Sequence, residues 1–172
     1  MQAFDYVAPS SVQEAVAVLA KHGAAARVLA GGTDIIIQAR EGRRDVAVMV
    51  DVKGIAETTQ LTHNSDGSLR IGALVTLAKV AASTAIRKTH PALAQACAEA
   101  ASPQVRNVAT IGGNVLQRPR CWYYRLESYK CVKKGGDICF AVAGENRYHV
   151  LFGGGPAFPT HPSSSAVPLV AY

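Results

Sequence analysis

The sequence predicts an α+β fold, because helical and strand-like patterns alternate along a chain that has enough apolar residues for a core. Of its 172 residues, 49% are hydrophobic, a length and content typical of one globular domain. A capped amphipathic helix stands near the start, two short apolar strand patterns follow it, and a hairpin pattern with glycine at its turn comes next.

The first helix begins after Ser11. Ser11 and Glu14 form a capping box, and apolar residues then recur at helical spacing until Gly23. Glycine at this point is a common way for a helix to end. We therefore predict one amphipathic helix between Ser11 and Gly23.

A strand, a glycine turn and a second helix are predicted next. Residues 26–30 (ARVLA) form a short apolar strand pattern that runs into Gly31 and Gly32. The Thr33-Asp34 pair is able to cap a helix over residues 35–40. Such an arrangement is typical of a site for anions.

Further strands and helices are predicted up to residue 101. Residues 47–52 (AVMVDV) indicate a second buried strand, and residues 61–74 indicate a hairpin folded at Ser65-Asp66-Gly67. Two helical stretches follow, at about residues 77–86 and 91–101.

The last part of the chain is less regular. Residues 118–160 lose hydrophobic periodicity and gain aromatics, cysteines, glycines and basic residues, as an inserted loop organised by a ligand does. Residues 165–172 start a new apolar element without a cap or a polar tail, so we expect the natural chain to continue beyond Tyr172.

Two glycine turns are the candidate ligand-binding segments. Residues 30–34 (AGGTD) and 110–114 (TIGGN) lie about 80 residues apart, and we expect a strand before each. Backbone N–H groups at the start of a helix attract anions, so two such turns suit the two phosphates of a dinucleotide. Neither turn has the Rossmann or the P-loop spacing, which excludes both motifs.

The segments VLAGGTDI, SLRIGALVTLAKV and SPQVRNVATIGGN resemble, in order and spacing, the FAD-binding subunits of molybdenum hydroxylases of the xanthine dehydrogenase type. The similarity runs from FDYVAPSSVQEA to HPSSSAVPLVA. It implies a two-lobed α+β fold, with FAD stretched between a first lobe at 1–55 and a second lobe at 56–172. The second lobe would carry the inserted loop at 118–160.

The resemblance also implies which residues contact FAD. They are Val28, Leu29, Ala30, Gly31, Gly32, Thr33, Asp34, Ile35, Ala101, Thr110, Ile111, Gly112, Gly113, Asn114 and Ser164. The threonine hydroxyls and the Asn114 amide are suitable hydrogen-bond donors. Ser164 stands where such proteins carry an acidic residue that helps to fix the cofactor's ribityl or ribose hydroxyls, and a serine retains one such bond.

Three of the four cysteines lie in the loop. Cys121, Cys131 and Cys139 are separated by nine and seven residues, which is not the spacing of a zinc knuckle. In a subset of the resembled family four cysteines hold a [4Fe–4S] cluster, and these three match. The fourth would fall near Ala157, so a cluster with another remaining ligand, a different metal and a loop without a cluster all stay open.

The other cysteine and the histidines carry no metal motif. Cys97 lies in an alanine-rich helix and is predicted to be a buried core thiol. His149, like the remaining histidines, has no partner at metal spacing, so we expect it at the surface or hydrogen-bonded within the protein.

Charge and motifs exclude several functions. Six basic residues lie between Arg118 and Lys134, but no nucleic-acid-binding signature accompanies them. No apolar run is long enough for a membrane span and no export signal is evident, so a cytoplasmic location is expected, or a periplasmic one if an exported partner carries the protein. No hydrolytic motif stands out, and we assign no catalytic residue.

The resemblance implies an electron-transfer function. Electrons would arrive from [2Fe–2S] centres of a small partner subunit, pass through FAD and leave to an external acceptor, while a large molybdopterin-binding subunit hydroxylates the substrate. Two alternatives stay open: a self-contained flavin oxidase of the same fold, and a non-enzymatic nucleotide- or zinc-binding interaction module.

Overall fold

The structure is a computed structural model that describes residues 2–42, 46–153 and 155–172. Residues 1, 43–45 and 154, which fall within the predicted first lobe and inserted loop, lie outside the described residues. The chain forms two compact units, Met1–Leu116 with Ser163–Tyr172, and Gln117–Pro162. The predicted division into lobes at residue 55 stays a prediction.

The first unit alternates strands and helices along its first part and is mainly helical thereafter. Its elements are β1 (Asp5–Val7), α1 (Val12–His22), β2 (Ala26–Leu29), α2 (Ile35–Arg40), β3 (Val48–Asp51), β4 (Leu61–His63), β5 (Leu69–Ile71), α3 (Leu77–Ala82), α4 (Thr84–Thr89), α5 (Pro91–Glu99), α6 (Pro103–Val108), α7 (Ile111–Val115) and, in its last segment, a terminal helix over Ala166–Ala171.

A parallel sheet in the order β1-β3-β2 organises the first part of this unit. All four residues of β3 are buried. Val48 and Val50 share a core cluster with Ala15 of α1, whereas Met49 shares one with Ala39 of α2. The central strand is therefore covered on both faces, which explains its continuous apolar pattern.

A second core forms along residues 75–111. Its buried members are Val75, Leu77, Val80, Ile86, Leu93, Ala94, Cys97, Ala100, Ala109 and Ile111. The antiparallel hairpin of β4 and β5 contributes Leu61, Leu69 and Ile71 at the edge of this core. The helices of this part thus surround one cluster that ends at the second glycine turn.

Several predicted elements are confirmed. Helix α1 begins after Ser11, whose hydroxyl accepts a hydrogen bond from the Glu14 N–H. Helix α2 covers the predicted residues 35–40, and the hairpin folds at the predicted turn. Strand β1 was not predicted, since its three residues (DYV) carry too little pattern.

Two predictions are wrong. The helix expected over residues 77–86 is interrupted at Ser83, because the Ser83 hydroxyl accepts from the Ile86 N–H and starts a new helix. The strand expected before the second glycine turn is helix α6. Ser102 caps that helix and Pro103 occupies its first turn, both ordinary start signals.

The second unit has little regular structure. It contains a short helix over Trp122–Arg125, a 3-10 turn over Val132–Lys134 and an isolated antiparallel bridge between His149 and Pro159. Inside it, the Tyr123 ring lies 5.0 Å from that of Tyr129 and 6.0 Å from that of Phe140. Aromatic contacts therefore contribute to the packing inside this unit.

In the part of the chain that the structure describes, no helix combines the length and the apolar character that spanning a membrane requires.

Candidate functional site

The first glycine turn follows β2 and contacts the segment that leads into the second turn. A Cβ atom at Gly31 would lie 2.0 Å from the Val108 carbonyl oxygen and 3.1 Å from the Ala109 Cα. Gly32 has a φ of +73°, which favours glycine. Glycine is thus needed here for close packing and for turn geometry, and the packing brings the two predicted turns together.

Helix α2 begins next to this turn, but not as predicted. Asp34 stands at the N-cap position and makes no side-chain cap bond, because its ψ of −51° is helical rather than extended. Its carboxylate instead accepts a hydrogen bond from the Gln38 Nε2 at 2.6 Å. The prediction that Asp34 caps α2 is therefore wrong.

The second glycine turn is bonded tightly to residues 73–76. The Ile111 N–H donates to the Val75 carbonyl at 2.8 Å, and the Gly112 N–H donates to the Ala73 carbonyl at 2.9 Å. The buried Thr110 caps α7, with its hydroxyl accepting from the Gly113 N–H at 3.2 Å. These N–H groups are bonded within the protein, so the turn is set mainly by its own framework.

Gly112 and Gly113 have different surroundings. A Cβ atom at Gly112 would lie 2.9 Å from the Ala73 carbonyl oxygen, so this glycine is required for packing. Gly113 is exposed, and a Cβ atom there would meet the Thr110 hydroxyl at 3.1 Å. Gly113 is therefore the glycine of this turn whose backbone a ligand can approach.

Ala101 has an unusual backbone conformation. It is exposed and has a φ of +49°, the one positive φ at a non-glycine residue among those described. The Arg106 guanidinium donates to the carbonyls of Ala100 and Ala101, each at 2.9 Å. A left-handed alanine costs about 1–2 kcal/mol, and such strain concentrates at ligand sites.

The two residues beside Ser164 fix its position through hydrogen bonds to Asn114. Ser163 and Ser165 are buried and both donate to the Asn114 Oδ1, whereas Ser164 is exposed between them. The structure therefore places two predicted site residues, Asn114 and Ser164, on connected segments.

A polar cluster lies where β3 ends. Asp51 is paired with Leu29, the last residue before the first glycine turn, and its carboxylate accepts hydrogen bonds from the Tyr6 hydroxyl and the Lys53 N–H. The Lys53 Nζ lies 2.6 Å from the same carboxylate.

Hydrogen bonding within this cluster shifts the pKa values of Asp51 and Tyr6. Burial acts to raise the pKa of Asp51, but the hydrogen bonds from Lys53 and Tyr6 outweigh it and hold the pKa below its ordinary value. The hydrogen bond to Asp51 raises the pKa of Tyr6. Asp51 is therefore a charged anchor at this edge of the sheet.

The loop cysteines are free thiols. Cys131 is buried, Cys121 and Cys139 are half-buried, and the Cys121 Sγ lies 3.2 Å from the His149 Nε2. Among the described residues, no three His, Cys, Asp or Glu side chains are placed to hold a metal ion. The described cysteines are not gathered as the ligands of a [4Fe–4S] cluster would be, and nothing else tests whether the loop holds one.

His149 is hydrogen-bonded within the protein through one ring nitrogen, as predicted, and its partner is the predicted metal ligand Cys121. Its other ring nitrogen, Nδ1, is buried with no hydrogen-bond partner among the described residues. The sequence separates these residues widely, so spacing alone could not reveal the contact. Cys97 is buried in α5 as predicted, and desolvation raises the pKa of its thiol to about 11.

Other residues of the site were also missed. Arg106, Ser163 and Ser165 support predicted site residues through hydrogen bonds. Their nearness to Ala101 and Ser164 in the sequence was the one available signal. Tyr6 and Asp51 carried none, because strand β1 was not recognised.

Comparison with known proteins identifies the family. Residues 2–172 match the family model described as FAD binding domain in molybdopterin dehydrogenase. The chain is 35% identical over 171 residues to the aldehyde oxidoreductase FAD-binding subunit PaoB of Escherichia coli (strain K12), covering 98% of this chain and 53% of that protein. It is 32% identical over 116 residues to the nicotinate dehydrogenase FAD-subunit of Eubacterium barkeri, covering 67% and 39%.

Solved structures show the same fold. CO dehydrogenase from Oligotropha carboxidovorans matches with a TM-score of 0.63 and 32% identity, over 66% of this chain and 40% of that one. Quinoline 2-oxidoreductase from Pseudomonas putida 86 matches with a TM-score of 0.62 and 32% identity, over 66% and 39%. The α+β FAD-binding fold class is thereby confirmed, although the subset with a cysteine loop stays a prediction.

The chain spans about half the length of the aldehyde oxidoreductase subunit and less of the other relatives. Its sequence and its fold nevertheless agree on one assignment. The chain belongs to the family of FAD-binding domains of molybdopterin dehydrogenases.

Proposed function

We propose that the chain is the FAD-binding part of an electron-transfer subunit in a molybdenum-containing hydroxylase or dehydrogenase. The observation that carries this proposal is the contact between the first glycine turn and the segment that leads into the second, in which the Gly31 backbone lies against Val108 and Ala109. This contact brings the two turns near each other, so that both can face one extended dinucleotide, and the family match names FAD as the ligand.

The residues that would hold FAD are those of both turns and of two flanking positions. They are Val28, Leu29, Ala30, Gly31, Gly32, Thr33, Asp34, Ile35, Ala101, Thr110, Ile111, Gly112, Gly113, Asn114 and Ser164. Three features support this set: the exposed Gly113, the left-handed Ala101 and the exposed Ser164. The positive φ of Ala101 follows the end of α5 and is held by the Arg106 hydrogen bond to its carbonyl, and such strain concentrates at ligand sites.

Bound FAD would supply the redox chemistry, which is to accept electrons and release them singly or in pairs. The chain's own residues would bind and orient the cofactor. The glycine turns would admit the pyrophosphate, and Ser164 would donate a hydrogen bond to a sugar or ribityl hydroxyl. The Asp51 anchor would keep the carboxyl ends of β3 and β2 in place beside the first turn.

The names of the relatives indicate which partner subunits this chain would have. Several are named as FAD subunits or medium chains of larger enzymes. We propose a large molybdopterin-binding subunit and a small [2Fe–2S] subunit as partners of this chain, with no role for nucleic acid or a membrane. Substrate hydroxylation would take place on the large subunit, and the complex would be cytoplasmic unless an exported partner carries it.

The first alternative, a self-contained flavin oxidase, requires a substrate site in the same chain. Oxidation of small alcohols by the purified protein without partner subunits would favour that alternative over electron transfer. The second alternative is a non-enzymatic nucleotide- or zinc-binding interaction module. Its zinc-binding form has little support, because among the described residues no three suitable side chains gather around a metal position. Colourless protein with bound zinc would favour it.

The test is to record the absorption spectrum of the complete protein before and after acid release of its cofactor. We expect flavin bands and released FAD. A folded, colourless protein that ignores added FAD would overturn the proposal. Oxidation of the bound flavin by candidate acceptors, after reduction through the co-purified partner subunits, would then test the electron path.

A pair of variants tests the site. Gly113→Val places a branched side chain on the exposed glycine of the second turn, and we expect it to lower the amount of bound FAD by at least tenfold. Ala98→Val makes a comparable change at an exposed helical position of α5 and should retain FAD. If both variants bind FAD like the wild type, the second turn does not contact the pyrophosphate.

A further inference from the structure

The Asn114 side chain joins the second glycine turn to the serine-rich segment near the end of the chain. Its Oδ1 accepts hydrogen bonds from the Ser163 hydroxyl at 2.6 Å, the Ser165 hydroxyl at 2.6 Å and the Ser165 N–H at 3.3 Å. A carbonyl oxygen has two lone pairs, which the two short hydroxyl bonds occupy, and the longer bond from the Ser165 N–H shares the same oxygen.

The donors of these hydrogen bonds are deeply buried. Ser163 is 4% exposed and Ser165 is 1% exposed. Buried hydroxyls that lose their acceptor keep the cost of desolvation without compensation. The bonds to Asn114 therefore determine where this segment lies, and they do not form a loose surface contact.

The other end of the connection is equally fixed. The Asn114 N–H donates to the Thr110 carbonyl at 2.8 Å, and Thr110 is the buried cap residue of α7. The Ser163 hydroxyl also accepts from the Ala166 N–H at 3.0 Å, which ties the start of the last helix to the same point. A chain of hydrogen bonds thus runs from Thr110 through Asn114 to residues 163–166.

We propose that Asn114 is a positioning residue, which latches residues 163–166 to the second glycine turn and so holds the exposed Ser164 in place against FAD. This inference rests on the proposed function, because it assigns the way in which one part of that same site is built. It adds a second role to the FAD contact expected of Asn114, because the side-chain oxygen of this residue bonds within the protein.

The latch explains why Ser164 is available to a ligand. Its two neighbours turn inward to Asn114, whereas Ser164 between them is exposed. Without the latch the serine segment would lose its register with the glycine turn, and a single hydrogen bond from Ser164 would no longer meet the cofactor's hydroxyls. The contribution of the Asn114 side-chain oxygen to FAD binding is therefore indirect, through Ser164.

The first experiment measures amide hydrogen exchange in the complete protein, with and without FAD, for wild type and Asn114→Ala. We expect exchange at Ser165 and Ala166 to become at least tenfold faster in the variant, while Val50 in the central strand exchanges as before. We also expect the Kd for FAD to rise at least tenfold. Unchanged exchange at Ser165 and Ala166 would overturn the latch.

Two further variants separate positioning from general loss of stability. Asn114→Asp keeps an acceptor oxygen for the same donors and should restore slow exchange at Ser165 and Ala166. Ser83→Ala removes the cap of α4, a comparable local bond in the same unit, and should leave the Kd for FAD unchanged. If Ser83→Ala weakens FAD binding as strongly as Asn114→Ala, the effect is general and the proposal fails.

The remaining outcomes are also decisive. If Asn114→Ala does not fold, Ser165→Ala, which removes one hydroxyl donor, should give the same changes at smaller size, and no change would overturn the proposal. Fast exchange with unchanged FAD affinity would refute the link to the cofactor. Failure of the wild type to bind FAD would refute the proposed function, whereas exchange in the FAD-free protein would still decide the latch.

Discussion

Replacing Gly31 by alanine would place a methyl group against the backbone at the end of α6, just before the second glycine turn. The added Cβ would lie 2.0 Å from the Val108 carbonyl oxygen and 2.7 Å from its carbonyl carbon, whereas real Cβ atoms essentially never approach within 3.0 Å. The contact is with backbone atoms, so no flexible side chain can move away. The two segments would have to separate by about 1 Å, a shift on the scale at which overpacking becomes costly.

The free energy of unfolding that Gly31→Ala would lose can be given as a range. Overpacked sites typically lose about 1–3 kcal/mol of stability, which corresponds to roughly a 5- to 150-fold change in the folding equilibrium. Since both members of the contact are main chain, we expect about 2–3 kcal/mol for Gly31→Ala. Gly54→Ala is the matched control, because its Cβ would lie 4.0 Å from the nearest atom, the Pro9 carbonyl oxygen.

Urea unfolding of the complete protein measures the difference. Gly54→Ala should be neutral or gain about 0.4–1 kcal/mol, the usual effect of removing glycine from a compatible position. FAD affinity should fall in Gly31→Ala, because the two turns no longer meet at the same distance. Equal stability and equal FAD affinity for the two variants would refute the argument that the turns are packed through Gly31.

Three more predictions follow from the described side chains and backbone. Ala101→Gly relieves a positive φ and should raise the free energy of unfolding by up to about 1 kcal/mol, whereas Ala100→Gly, at a φ of −67°, should lower it; urea titration of both checks the sign. Because the folded-state pKa of Asp51 is lowered, its charge stabilises the protein above about pH 4 and this stabilisation is lost as the pH falls through the lowered pKa. Asp51→Asn should therefore cost about 1–2 kcal/mol at neutral pH and flatten the acid side of the stability curve, and an unchanged curve would contradict the assignment. Cys97, with its pKa raised to about 11, should react with iodoacetamide roughly a hundredfold more slowly than the half-buried Cys121 and Cys139 in native protein at pH 8, as peptide mass spectrometry would show.

The sequence predicts correctly those elements whose hydrophobic pattern is matched by suitable capping or turn residues. Helix α1 and the hairpin carry their start or turn residues in the expected places, and both are confirmed. Ser83 shows the opposite case. The apolar residues around it continue at helical spacing, and only the capping bond to Ile86 divides the stretch into two helices.

The candidate site shows a similar limit. Its glycines stand in recognisable turns, but the reason for Gly31 is a contact with Val108, which lies far away in sequence. The partners of Asn114 and of Cys121 are also distant in sequence, and neither has a spacing that a motif records. Sequence reasoning therefore predicts candidate binding segments but cannot determine what holds them in place.

The hydrogen bonds of Asn114 also affect how easily the segment Gln117–Pro162 can change in length. The segment Gln117–Pro162 begins shortly after Asn114 and ends just before Ser163, so the residues on either side of it are fastened together at 2.6 Å. With its exit and return points joined, such a segment changes length at small entropic cost, about 0.6 kcal/mol for each doubling. A change in its length would thus leave the three core clusters of the first unit in place.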